Sequence, residues 1–134
     1  MKVDKEKIGK DLVDSSFKIH TALGPGLLES AYEACLAYEL ENRGYTIERQ
    51  KPQSIQYESL TIETAYRLDI VVNDSVIIEL KSVEEILQVH KAQLLTYLRF
   101  SKITLGYLIN FYTPLIKNGI TRMVLNHTKY NFAS

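Results

Sequence analysis

The chain has 134 residues, 46% of them hydrophobic, and its 16 basic and 16 acidic side chains cancel. That is enough for one domain with a core and too little for two, and the neutral balance, with a pI near 6.8, argues against a surface that grips nucleic acid on charge alone. No apolar run reaches membrane-spanning length, Met1 to Asp11 is too charged for a secretory leader, and the lone Cys35 permits neither an internal disulfide nor a cysteine zinc site, so the expected setting is a reducing cytoplasm without membrane attachment.

Asp4 is a suitable N-cap for a first helix to about Ala22, in which Ile8, Leu12, Ile19 and Leu23 recur at helical spacing and Val13 and Phe17 widen the stripe. Gly24-Pro25-Gly26 breaks it. A second helix is expected from Leu27 to Arg43, closed by Gly44 at the C′ position. On its wheel Ser30, Glu33, Ala37 and Glu41 mark the exposed face. Glu29 falls between Leu36 and Leu40, where a carboxylate is at least partly buried and wants a partner. Glu39 intrudes on the same arc, so a solvated or salt-bridged boundary residue is the alternative for Glu29. Strands follow at Thr46–Gln50 and Ser54–Tyr57, with Pro52 marking an irregularity or an edge. Next come two charged strands, Ala65–Val72 and Val76–Lys81, a third helix from about Ile86 to Phe100, and strands at Ile103–Phe111 and Ile120–Leu125 around a Thr113-Pro114 turn. Asn126 to Ser134 reads as a tail. This order predicts a single α/β sandwich domain over residues 1–134 with a mixed central sheet.

The charged strands hold the most chemistry. By alternation Glu79 and Lys81 share one face of their strand, opposite Val76, Ile78 and Leu80. On the preceding strand Asp69 shares a face with Arg67 and Val71, opposite Leu68, Ile70 and Val72. A three-residue loop, Asn73 to Ser75, sets Val72 against Val76 and Asp69 against Glu79, which gathers the charges on one side; Ser75 is then a less comfortable residue than Gly for a left-handed position. Facing carboxylates at ~5 Å repel by about 3 kcal/mol at an effective dielectric near 20. A divalent cation converts that repulsion into binding, and oxygen ligands suit Mg²⁺ or Mn²⁺. Such an ion polarises a phosphate and lowers the pKa of a water, while Lys81 positions that water or stabilises the developing charge. The residues alone also allow a structural ion cluster in which Lys81 neutralises one carboxylate.

His90, Gln93 and Tyr97 form one row of the third helix, suited to a phosphate, a base edge or the lysine, or to the polar boundary of a packing helix. His20, at the end of the first helix, suits its dipole. His127 has no assigned role. Tyr45, Tyr57, Tyr107 and Tyr112 offer rings for stacking bases, with core or rim packing as the plainer use.

Gly26-Leu27-Leu28-Glu29-Ser30-Ala31-Tyr32 resembles the signature of the GxxExxY protein family, as do the flanking His20 to Gly26, Arg67-Leu68-Asp69, Glu79-Leu80-Lys81 and His90 to Tyr97. The motifs stand in the expected order across nearly the whole chain. That family is placed in the PD-(D/E)XK nuclease superfamily, so the resemblance implies a restriction-endonuclease-like fold. It implies Glu29, Asp69, Glu79 and the Leu80 carbonyl as ligands of Mg²⁺ or Mn²⁺, and Lys81 as the catalytic lysine. Gln93 and Tyr97 complete that site, with Arg67, His20 and His90 as weaker members. It further implies a nucleic-acid substrate, DNA ahead of RNA, and is compatible with a homodimer. Leu68 stands where the superfamily name has Pro, and one cysteine cannot hold an iron–sulfur cluster. The function expected is metal-dependent phosphodiester hydrolysis; the alternatives are a catalytically inactive nuclease-fold module that binds nucleic acid or protein, and a structural dimer with vestigial charges.

Overall fold

A computed structural model describes residues 4–126. The elements are α1 (Lys5–Leu23), α2 (Glu29–Asn42), β1 (Ile47–Tyr57), β2 (Leu60–Val72), β3 (Val76–Lys81), α3 (Gln88–Ser101), β4 (Leu105–Asn110), a 3₁₀ turn (Ile116–Gly119) and β5 (Ile120–Val124). The strands form one sheet in the order β1-β2-β3-β4-β5. Only β3 and β4 run parallel, because α3 carries the chain back across the sheet between them. Helices α1 and α2 cover one face, where Ile8, Leu12, Leu36 and Leu40 pack with Ile70, Val72, Ile78 and Leu80. On the other face Leu94 and Leu98 of α3 pack on Val71, Ile77 and Leu108. This is the anticipated α/β sandwich with a mixed sheet. Among the described residues no helix is long and apolar enough to cross a membrane. Residues 127–134, including His127 and most of the expected tail, lie outside the described residues.

Local chemistry sets the boundaries. Asp4 caps α1 by accepting the Lys7 N–H at 3.1 Å. The stripe of α1 departs from expectation at its margins: Phe17 and Leu23 are 41% and 44% exposed. Ser15 and Ser16 are buried in their place, and the Ser16 hydroxyl donates to the Leu12 carbonyl at 2.7 Å. Helix α2 starts at Glu29 rather than Leu27. It ends as expected at Gly44, whose φ of 96° lets its own N–H reach the Glu41 carbonyl and the Tyr45 N–H reach that of Leu40.

The two early strands are one continuous edge strand, β1, with Pro52 inside it and a shift of register between Gln53 and Ile55. Its partner β2 begins at Leu60 rather than Ala65, so β1 and β2 form a long ribbon whose start, Leu60 to Ala65, is exposed and carries no burial pattern to betray it. The β2–β3 loop is Asn73 to Ser75, with Val72 opposite Val76, as expected. The left-handed residues are Asn73 (φ 49°) and Asp74 (φ 51°), not Ser75. Asn and Asp tolerate that region better than most, so no glycine is required.

Candidate active site

Regular pairing between β2 and β3 ends at Ile70 opposite Ile78. One step further the strands part, and Asp69 and Glu79 meet. Glu79 Oε1 accepts the Asp69 N–H at 3.1 Å, and Asp69 Oδ2 accepts the Leu80 N–H at 2.9 Å. The carboxylates thus satisfy two backbone donors just past the point where the ladder stops. On β3 the expected alternation holds: Val76, Ile78 and Leu80 enter the α1–α2 core, and Ile77 turns to α3. On β2 it fails at the fork. Leu68 leaves the face of Ile70 and Val72 and packs with Val71 and Ile77 under α3.

Glu79 is only 6% exposed. Its burial first, and the charge of Asp69 second, push its carboxyl up to about 9, with Lys81 drawing it partly back. Tyr97 lies beside this pair, stacked on Tyr66 with ring centroids 4.2 Å apart. Burial raises both phenols; Tyr97 adds to the rise at Tyr66, and the charge of Glu79 contributes to both. The Tyr66 hydroxyl is buried with no hydrogen-bond partner among the described residues. Sequence reasoning did not single out Tyr66; an aromatic residue three positions before Asp69 was the available signal.

Glu29 takes the solvated boundary place that was the alternative, not the partly buried one. It is exposed, and its Oε2 accepts the Ser82 N–H at 3.2 Å, just beyond Lys81. Together with Ser82 and Tyr112 it borders an open cavity of about 520 Å³. The wheel assignment holds for Leu36, Leu40, Ser30 and Glu41 but fails at Glu33 and Ala37, which are buried. The reason is tertiary: β1 lies against that flank and offers partners to a carboxylate. Arg49 Nε donates to Glu33 Oε2 at 2.9 Å, and Gln50 Nε2 to Glu33 Oε1 at 2.6 Å. The same Gln50 nitrogen donates to Asp69 Oδ1 at 3.2 Å.

The signature segment organises the approach to α2. Tyr32 is fully buried, stacks on Phe111 at 4.4 Å, and its hydroxyl donates to the Gly24 carbonyl and accepts the Leu27 N–H. Asn110, also missed, ends β4 at 1% exposure and clamps the segment after Lys81: its Oδ1 accepts the Val83 N–H and its Nδ2 donates to the Val83 carbonyl.

The remaining candidates disperse. His90 accepts the Leu87 N–H at 2.9 Å and so caps α3. His20 Nε2 meets the Thr113 carbonyl at 2.8 Å. Gln93 is exposed on α3, and Arg67 lies beside the Gln50 carbonyl at 3.5 Å. The structure therefore brings together Asp69, Glu79, Lys81 and Tyr97, and leaves Glu29, His20 and His90 with other partners. Among the described residues no three His, Cys, Asp or Glu side chains surround one point. The Asp69–Glu79 pair nonetheless sets two carboxylates, hard oxygen donors, side by side.

A family model described as the PD-(D/E)XK nuclease superfamily matches residues 6–123. No curated protein and no solved structure matches the chain.

Proposed function

The chain belongs to the PD-(D/E)XK nuclease superfamily, and from that premise we propose that it is a Mg²⁺- or Mn²⁺-dependent nuclease that hydrolyses phosphodiester bonds of nucleic acid, DNA ahead of RNA. The observation that carries this reading is the fork, where two carboxylates abut and burial holds Glu79 protonated up to about pH 9. Asp69 and Glu79 would be the primary ligands, and the Leu80 carbonyl and Glu29 would be the further ones. When bound, the metal supplies Lewis acidity toward a phosphate oxygen and acidifies water. Lys81, on the Glu79 side of β3, would hold the attacking water or the negative charge that develops on the phosphoryl oxygens. Tyr97, braced by Tyr66, and Gln93 line the substrate side. Asn110 and Tyr32 keep the two backbone segments around Lys81 and Glu29 in place.

A second reading is a nuclease-fold module that binds nucleic acid or a protein without cutting it. What favours it is the separation of Glu29 from the acidic pair and the lack of a three-ligand group among the described residues. Titration of Mn²⁺ into metal-free protein by calorimetry, with Asp69→Ala in parallel and cleavage scored on single- and double-stranded DNA and RNA, separates the two. The nuclease reading expects binding that is lost in Asp69→Ala, and cleavage that needs the metal. Mn²⁺ bound equally by Asp69→Ala, or metal-loaded protein that cuts none of the substrates, sinks it.

A further inference from the structure

We infer that Gln50 is the positioning residue of Asp69, and that Glu33 and Arg49 hold Gln50 to that task. The inference rests on the metal reading proposed above and extends it to the outer partners of one ligand. Asp69 Oδ1 accepts from Gln50 Nε2 at 3.2 Å and Asp69 Oδ2 from the Leu80 N–H at 2.9 Å. Each oxygen is thus held by a donor, and the two together fix the plane of the carboxylate.

Three features of Gln50 point to this use. Its φ is 51°, a left-handed conformation that non-glycine residues adopt at a cost. Its residue is exposed, so no core burial offsets that cost. What the conformation gains is an amide that reaches two carboxylates at once. Glu33 explains why the amide stays there. It is a charge at 6% exposure, and both partners recorded for its carboxylate, Arg49 and Gln50, come from neighbouring positions of β1. A buried carboxylate that loses a partner is penalised, so Glu33 anchors the amide that orients Asp69. Outer partners of this kind typically change metal affinity about 10–100-fold when removed.

Gln50→Gly tests this directly, because glycine accepts the left-handed backbone and deletes only the amide. The expected result is a protein that still folds, with a melting temperature lowered by the loss of one partner of the buried Glu33, and with Mn²⁺ affinity by calorimetry reduced about 10–100-fold. Gln50→Gly that folds and binds Mn²⁺ as tightly as the wild type overturns the assignment. A wild type that takes up no Mn²⁺ refutes the metal reading by itself, and a metal-free crystal structure of Gln50→Gly then decides for Gln50. An Asp69 carboxylate turned away from the Leu80 N–H supports the positioning role; an unmoved one overturns it.

Discussion

At the loop end of the β2–β3 hairpin, Val71, Val72, Val76 and Ile77 are wholly buried and joined by regular pairing. At the open end the same two strands carry Asp69 and Glu79, whose carboxylates take up backbone N–H groups past the last ladder pair. The first end is stabilised by apolar burial, at about 25 cal/mol per Å² removed from water. The second end works against stability at neutral pH, because a buried carboxyl must stay protonated or lose solvation. One hairpin thus holds a stable half and a reactive half, and substitutions in the two halves should have separable consequences.

The largest effect is expected in the stable half. Ile78→Ala, at a site with no exposure, should lower unfolding stability by about 2–5 kcal/mol in urea titrations while the folded fraction keeps its Mn²⁺ affinity. Affinity falling in step with stability would mean that the halves are not independent. In the reactive half, Lys81→Ala should slow cleavage about 10²–10³-fold, a barrier change of about 3–4 kcal/mol, with metal affinity and melting temperature unchanged. Loss of metal binding would instead demote Lys81 to a structural role.

Glu79→Gln addresses the proton itself. Between about pH 4.5 and about 9 the folded metal-free protein keeps a proton on Glu79 that the unfolded chain releases, so this group's contribution to stability falls as pH rises. At about 1.4 kcal/mol per unit, the loss by pH 7 is on the order of 3 kcal/mol. Glu79→Gln should remove that slope in denaturation curves at pH 5 and 7, and parallel curves for the two proteins would show that the burial is not felt. The smallest effect belongs to Tyr66→Phe, which deletes a hydroxyl with no partner among the described residues while keeping the stack on Tyr97; stability should change by less than about 0.5 kcal/mol. A larger loss would reveal a bonded water on that hydroxyl.

Where a local rule was sufficient, the sequence was readable. The Asp4 cap, the Gly44 ending and the three-residue loop each depend on a handful of neighbouring residues. The meeting of Asp69 with Glu79 follows from that loop, so the centre of the candidate site was legible as well. The places of the two glutamates on α2 were not, since Glu33 and Glu29 differ only through what packs on them: Arg49 and Gln50 for one, the Ser82 backbone for the other. The break of alternation at Leu68 and the exposed start of β2 escaped for a related reason. Strand divergence and a ribbon with little burial leave no periodic signal.

Strand β1 forms an outer border of the sheet for eleven residues, long enough to recruit a strand from another molecule and begin ordered aggregation. Pro52 removes one donor from that border, and the backward turn of Gln50 interrupts its line two residues earlier. Substituting Pro52 while relaxing Gln50 would give a straighter border, and light scattering during prolonged incubation would show whether this chain has been kept from polymerising by the same bend that brings an amide to Asp69.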